Sequence, residues 1–169
     1  MQQQTHESSY RFNPLDSVED LLIANDWVYK RLTSEELILD INGNSCDYTL
    51  CFTWNETANL LKISCEIDDL IPEGKLGEAI LVANELSQNI SIGHFVVDHD
   101  TKKLVHNYNL IAVDDDKLID RSYIASVVET ILKDCEENFT LIKYFLNKDV
   151  CKSDKKLVSL LIMPAEGHA

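Results

Sequence analysis

The chain has 169 residues, of which 45% are hydrophobic and 26% charged, and these proportions exclude a disordered or membrane-embedded protein. The 29 acidic residues against 15 basic ones give a net charge of −14, which disfavours nucleic-acid binding because phosphates must be neutralised by lysine and arginine. The five glycines leave little material for a Gly-rich nucleotide loop.

The ends of the chain and its cysteines predict a cytoplasmic protein. Residues 1–12 lack a basic stretch followed by an apolar run, so they predict a flexible tail and no secretory signal. No apolar run approaches the ~18 residues of a membrane-spanning helix. The five cysteines are an odd number and are expected to be reduced. We predict one domain over 13–163, followed by a tail over 164–169.

The first helix is predicted to begin after Asn13 and to run to about Asn25. Asn13 can cap the free backbone amides, and Pro14 suits the first helical position because proline has no N–H to leave unpaired. An apolar stripe follows at helical spacing, formed by Leu15, Val18, Leu21 and Leu22. Two short strands, 27–32 and 37–41, are predicted next.

Alternation then predicts an antiparallel meander. Asn42-Gly43 is typical of a tight turn whose residues adopt positive φ angles. The strand 47–54 follows, and its even positions form an apolar face of Tyr48, Leu50, Phe52 and Trp54. The strand 61–67 alternates in the same way.

The second half of the sequence predicts a helix, a β-hairpin and a long helix. The second helix is expected from Pro72 to about Asn89, and the hairpin strands over 92–98 and 103–113. A long helix is predicted after Asp114 to Asp116, with an apolar stripe that begins at Ile124 and with an end near Leu146. It would be roughly 40 Å long, so we expect it to break, protrude or pack on a partner. With a short final helix over 155–163, the predicted fold is α+β, an antiparallel sheet of about five to six strands flanked by helices.

Candidate chemical motifs are weak. Zinc could be held by a hairpin cluster of His94, His99, His106, Asp98 and Asp100, but His94 and His99 have opposite strand parity. Gly74 to Gly77 matches the GxxG nucleic-acid clamp, but Glu73 and Glu78 flank it. Asp114 to Asp116 lacks the spacing of an EF-hand and suits a helix start. We predict no catalytic, metal-ligating or cofactor-binding residue, no cofactor and no enzyme.

The apolar stripe from Tyr48 to Trp54 has two interpretations. The first is the core face of the sheet, and the second is an exposed surface that binds a partner. Tryptophan and tyrosine are good interface anchors, so the end of the strand near Trp54 is the place to look for a binding hot spot.

These segments resemble the YbjN-domain family of bacterial sensory transduction regulators. The resemblance runs from Asn13 to the C-terminus. It is carried by NPLD at 13–16, Trp27, CDYTLCFTW at 46–54, Asn84 and Gly93-His94-Phe95. The chain departs from the pattern at 146–152, where a Gly-rich break is expected.

The resemblance implies a fold similar to type III secretion chaperones, which often dimerise and bind other proteins, and it supplies no catalytic residues. We therefore expect a non-enzymatic adaptor or chaperone-like regulator that forms a homodimer, through the long helix or a sheet edge, and binds another protein but neither nucleic acid nor membrane. The predicted partner-binding residues are Tyr48, Trp54, His94 and Phe95. The alternative is a small-molecule sensor whose ligand lies between sheet and helices, with His94 as a polar contact.

Overall fold

The computed structural model describes residues 13–112 and 120–147, which form three helices and a six-stranded antiparallel sheet. The strands lie side by side in the order β1-β2-β3-β4-β6-β5. The α+β prediction is confirmed. In chain order the elements are α1 (Pro14–Ala24), β1 (Lys30–Arg31), β2 (Glu36–Asn42), β3 (Asp47–Asn55), β4 (Leu60–Leu70), α2 (Leu76–Ser87), β5 (His94–Asp98), β6 (Lys103–Ile111) and α3 (Arg121–Asn147).

One face of the sheet forms the core with all three helices. On the central strand β3, Phe52 lies opposite Leu37 of β2 and Ile63 of β4, and all three side chains are fully buried. The predicted alternation of β3 and β4 is confirmed, because their even and odd positions respectively point into this core. Each helix contributes one apolar stripe to the same cluster, represented by Leu15, Leu86 and Ile131.

The other face of the sheet carries the opposite residues of each strand, and none of the three described helices supplies its core stripe to it. We call it the open face. By register, one row crosses five strands through Ile38, Cys51, Ser64, Asn107 and His94. The open face also includes Glu36, Asp40, Thr49, Thr53, Lys62, Glu66, Val96, Lys103, Val105 and Asn109.

In contrast to the expectation, the long helix α3 does not need to break, protrude or pack on a partner. It is continuous over Arg121–Asn147, and its apolar stripe is buried within this chain from Ile124 to Leu146. Its first turn is capped by Asp120, whose carboxylate accepts bonds from the backbone N–H and hydroxyl of Ser122 at 3.0 and 2.7 Å. The helix spans the sheet because it packs against it and against both other helices.

Two elements begin at least three residues after the predicted position. The strand expected over 27–32 is reduced to Lys30–Arg31, because Asp26 adopts φ 55° and the N–H of Trp27 still bonds back to the carbonyl of Leu22 at 2.9 Å. Helix α2 begins at Leu76 and not at Pro72, since a turn with Gly74 at φ 84° comes first.

The Asn42-Gly43 turn lies where the sequence predicts it, but Gly43 is needed for a different reason. Its φ is not positive. A Cβ at Gly43 would lie 2.3 Å from Glu136 Oε1 and 2.3 Å from a ring carbon of Tyr48. The Glu136 carboxylate of α3 accepts the backbone N–H of Asn44 at 2.7 Å, so close packing under the turn requires the glycine.

Several predictions concern residues outside the described ranges. They are the tails 1–12 and 164–169, the acidic run 114–116, the short helix 155–163 and the chain after residue 147.

Candidate binding sites

The four predicted partner-binding residues do not form one surface. Tyr48, Trp54 and Phe95 are core residues with exposed fractions of 1, 5 and 4%. His94 is exposed and belongs to the open face. Their binding role stays a prediction, but in this structure a partner can reach only the side chain of His94. The core interpretation of the stripe from Tyr48 to Trp54 is confirmed.

Polar groups on the open face are largely paired with each other across the strands. Ser64 donates to Asn107 Oδ1 at 2.7 Å, and Thr49 donates to Asp40 at 3.0 Å. The Lys103 ammonium, which lies 3.5 Å from Glu66, is raised in pKa chiefly by its bond to Asp68 at 2.9 Å. These bonds hold the side chains in a fixed pattern around the partly buried Ile38, Cys51 and Val96.

The candidate hairpin metal site is dispersed by the structure. His94 lies on the open face, His99 lies in the turn after β5, and His106 lies on the core face. Over 13–112 and 120–147, no group of three histidine, cysteine or acidic side chains could hold a metal ion.

Two cysteines meet in the core. The Sγ atoms of Cys65 and Cys135 are 3.8 Å apart, and both residues are fully buried. The bond to Cys65 and burial raise the pKa of the Cys135 thiol, so the reactive thiolate is disfavoured. Cys65 therefore fills the core, whereas Cys51 belongs to the open face.

His106 is a fully buried polar residue that sequence reasoning treated only as a metal candidate. It lies opposite Cys65, with its ring edge-on to Phe95 at a centroid distance of 4.8 Å. Its Nε2 is 3.5 Å from Oδ2 of Asp134 on α3. A backbone group of Ile92 also approaches the imidazole. Oδ2 of Asp134 has no hydrogen-bond partner, which is unusual because buried polar atoms are nearly always bonded.

Burial governs the charge of this pair. Burial, with a smaller contribution from His94, lowers the pKa of His106 to about 4. Burial and the nearby Glu137 raise the pKa of Asp134. At neutral pH the imidazole is therefore uncharged, and the 3.5 Å contact is not an ion pair.

The pair predicts a pH-dependent loss of stability. Above pH 6.5, the ordinary histidine pKa, His106 is neutral in both states. Between 6.5 and about 4 only the unfolded chain binds this proton, so the free energy of unfolding falls as pH falls. The His106 contribution is about 2 kcal/mol between pH 7 and pH 5.

Urea denaturation at pH 7 and pH 5 measures this loss, with His106→Gln as the comparison because glutamine does not titrate. Asp134 acts in the opposite direction, since its raised pKa favours the folded state as pH falls, but both proteins retain it. We expect a shallower pH dependence in the variant. Identical slopes in the two proteins would show that His106 is not the responsible group.

A pocket of about 460 Å³ lies between the end of α2 and the second half of α3. We call it the α2–α3 pocket. The carboxylate of Asp134 lines the pocket. His106 lies behind this carboxylate, 3.5 Å from its Oδ2, and does not line the pocket. The other lining residues are Asn89, Ile90, Glu137, Asn138, Thr140, Leu141 and Tyr144.

Sequence reasoning missed this pocket, although one signal pointed to it. Asp134 directly precedes Cys135 in the apolar stripe of α3, and His106 shares the core parity of Leu104 and Tyr108 on β6. Titratable residues beside core positions of two elements indicate a buried polar site. Their pairing across 28 positions of sequence requires the tertiary structure.

No helix within 13–112 or 120–147 is long and apolar enough to cross a membrane.

Comparison with solved structures gives a match to the crystal structure titled "Crystal structure of YbjN, a putative transcription regulator from E. coli". The identity is 12% and the TM-score 0.56, with 75% of this chain and 91% of that chain covered. At this identity the likeness shows the fold alone. A search of curated proteins gave no significant match.

A family model matches residues 14–143, which is most of the chain. The family is YbjN, described as "Putative bacterial sensory transduction regulator", and this description supports a regulatory role. The matched range begins with α1 and ends within α3, so it includes every strand of the sheet. The chain therefore belongs to the YbjN family.

Proposed function

We propose that the chain is a non-enzymatic, cytoplasmic regulator that acts by binding another protein through the open face of its sheet. The observation that carries the proposal is the position of the helices. All three pack their apolar stripes on one side, so the open face is a broad surface without a described covering element. The regulatory description of the family supports it.

The composition of the open face suits a reversible protein interface. Its partly buried apolar side chains, Ile38, Cys51 and Val96, lie among hydroxyl, amide and charged groups. Non-obligate interfaces also combine apolar with polar side chains. The chain carries a net charge of −14, so we expect the partner surface to be basic at its rim.

The proposal of a non-enzymatic protein rests on how the described titratable groups are used. Lys103 is held by two carboxylates on the open face, and Cys135 has a raised pKa in the core. His106 is sealed from solvent beside Asp134, so it cannot reach a substrate in this conformation. An activated nucleophile with an adjacent base does not emerge among residues 13–112 and 120–147.

Two arginines on the open face should abolish partner binding. Asp40 and Thr53 are exposed there on β2 and β3, and the double variant Asp40→Arg/Thr53→Arg adds bulk and three positive charges. We expect at least a tenfold loss of affinity, because like charges then face a basic partner. Affinity purification from host lysate, followed by quantitative mass spectrometry, measures the loss.

The matched control places the same charge change on the helical side. Asn84 on α2 and Glu129 on α3 are exposed, and Asn84→Arg/Glu129→Arg also adds three positive charges. The control should retain the partner, and circular dichroism should show both variants folded. Equal loss in both variants would attribute binding to overall charge and reject the open face.

We also propose a homodimer, but the route through the long helix loses its support because the apolar stripe of α3 is used inside the chain. The route through a sheet edge remains, and the edge strands are β1 and β5. The sensor alternative also changes, since His94 lies on the open face and cannot contact a ligand between sheet and helices.

A further inference from the structure

The α2–α3 pocket presents hydrogen-bond acceptors more than donors. Oδ2 of Asp134 is buried there without a partner. Asn138 donates to the carbonyl of Asp134 at 2.7 Å, and Asn89 donates to the carbonyl of Glu85 at 3.0 Å. Each of these amides keeps its oxygen as an acceptor and a second N–H as a donor, so the excess of acceptors comes from the carboxylates of Asp134 and Glu137.

The charge of the pocket is negative and only partly compensated. Glu137 has Lys133 at 3.7 Å, but both are well exposed, and such pairs are weak. Asp134 faces the neutral imidazole of His106 and not a cation. The nearby Lys143 is directed elsewhere, because it is bonded to Asp69 and lies over the ring of Phe139 at 5.5 Å.

The buried Oδ2 of Asp134 indicates that a group is missing here. His106 is fully buried behind this oxygen and does not line the pocket, and its Nε2 lies 3.5 Å from it, beyond the usual length of a hydrogen bond. Buried polar atoms without partners at the edge of a pocket are satisfied when a ligand or water completes the site. Because Asp134 accepts and cannot donate when ionised, the completing group must be a donor.

The rest of the pocket selects the body of the ligand. Ile90, Leu141 and the ring of Tyr144 supply apolar surface to the same pocket. A volume of about 460 Å³ is in the range of small-molecule sites. We propose that the α2–α3 pocket binds a small organic cation, a compound with an ammonium or guanidinium head that pairs with Asp134 and Glu137 and an apolar body against Ile90 and Leu141.

Titration of the ¹⁵N-labelled full chain, followed by amide chemical shifts, tests the proposal. The cationic probes are 2-phenylethylamine and agmatine, and the matched probes are neutral 2-phenylethanol and anionic phenylacetate. We expect the cations to cause saturable shifts confined to residues 89–90 and 134–144. The neutral and anionic probes should bind at least tenfold more weakly.

Three variants separate a built site from general attraction to an acidic protein. Asp134→Asn and Glu137→Gln should each weaken 2-phenylethylamine at least tenfold, since each removes a charge-assisted bond. Glu129→Gln removes an exposed carboxylate from the same helix and should leave binding unchanged. Thermal melting shows whether the variants fold, and the second pocket variant serves if the first does not.

Three results would overturn the proposal. The first is no saturable binding of either cation. The second is cation shifts spread over the acidic surface, with Glu129→Gln as damaging as the pocket variants. The third is equal binding of the neutral probe, which would show an apolar cleft without selection for charge.

Discussion

Phe52→Ala is expected to lower the free energy of unfolding by about 3 to 5 kcal/mol. Phe52 is fully buried on the central part of the sheet, between Leu37 and Ile63 on the neighbouring strands. Truncation removes the transfer energy of the ring and leaves a cavity that the paired strands cannot close, because their backbones are held in register. Urea denaturation followed by circular dichroism gives the loss.

The adjacent residue is the control. Thr53 is exposed on the open face of the same strand, so Thr53→Ala should change stability by no more than about 0.5 kcal/mol. Comparable losses at the two positions would contradict the assignment of faces on β3.

Gly93→Ala is expected to cost about 1 to 3 kcal/mol more than Gly74→Ala. Both glycines have positive φ, 70° and 84°, so the strain of an alanine backbone there, about 1 to 2 kcal/mol, is common to both. The difference is space. A Cβ at Gly93 would lie 2.4 Å from the carbonyl oxygen of Asn107 and 2.7 Å from Cε1 of His106.

Gly74 has no such neighbour, since nothing lies within 4 Å of a Cβ built there. The excess cost of the Gly93 variant therefore measures how closely the chain before β5 approaches β6. Equal midpoints of urea denaturation for the two variants would show that this close approach is absent in solution.

The sequence was sufficient for features set by local pattern. Asn13 caps α1 as predicted, its side chain accepting the N–H of Leu15 at 2.9 Å, because a capping residue acts on the turn that follows it. The alternation from Tyr48 to Trp54 predicts which face is buried, since the side-chain period of a strand is two. The family resemblance is also confirmed.

Features that depend on contacts distant in sequence could not be predicted. The packing of α3 could not be predicted, because an apolar stripe on a helix is the same whether the helix packs on its own chain or on another. Gly43 was assigned to a turn type, whereas a Cβ there would collide with Cys46, Tyr48 and Glu136, and Glu136 is 93 positions away. The α2–α3 pocket has the same origin, since Asp134 and His106 meet only when α3 lies across β6.

The sequence analysis considered an exposed binding surface on β3, but it considered the side of the strand that the structure buries. The sequence placed aromatic anchors at Tyr48 and Trp54, whose size and chemistry suit a hot spot, but the same properties suit a core. All three helices pack on the face of the sheet that carries these two residues, and they cover it. A partner that binds to the sheet must therefore contact the residues on the opposite side of each strand, which form the open face.

Site-specific photocrosslinking in host cells tests the central claim most directly. A benzoylphenylalanine at Lys62, exposed on the open face of β4, is compared with one at Glu129 on α3. The proposed function predicts one discrete crosslinked protein from position 62 and none from position 129, and a second copy of this chain would appear as a product of twice 19.3 kDa. No product from position 62, or the same product from both positions, would contradict it.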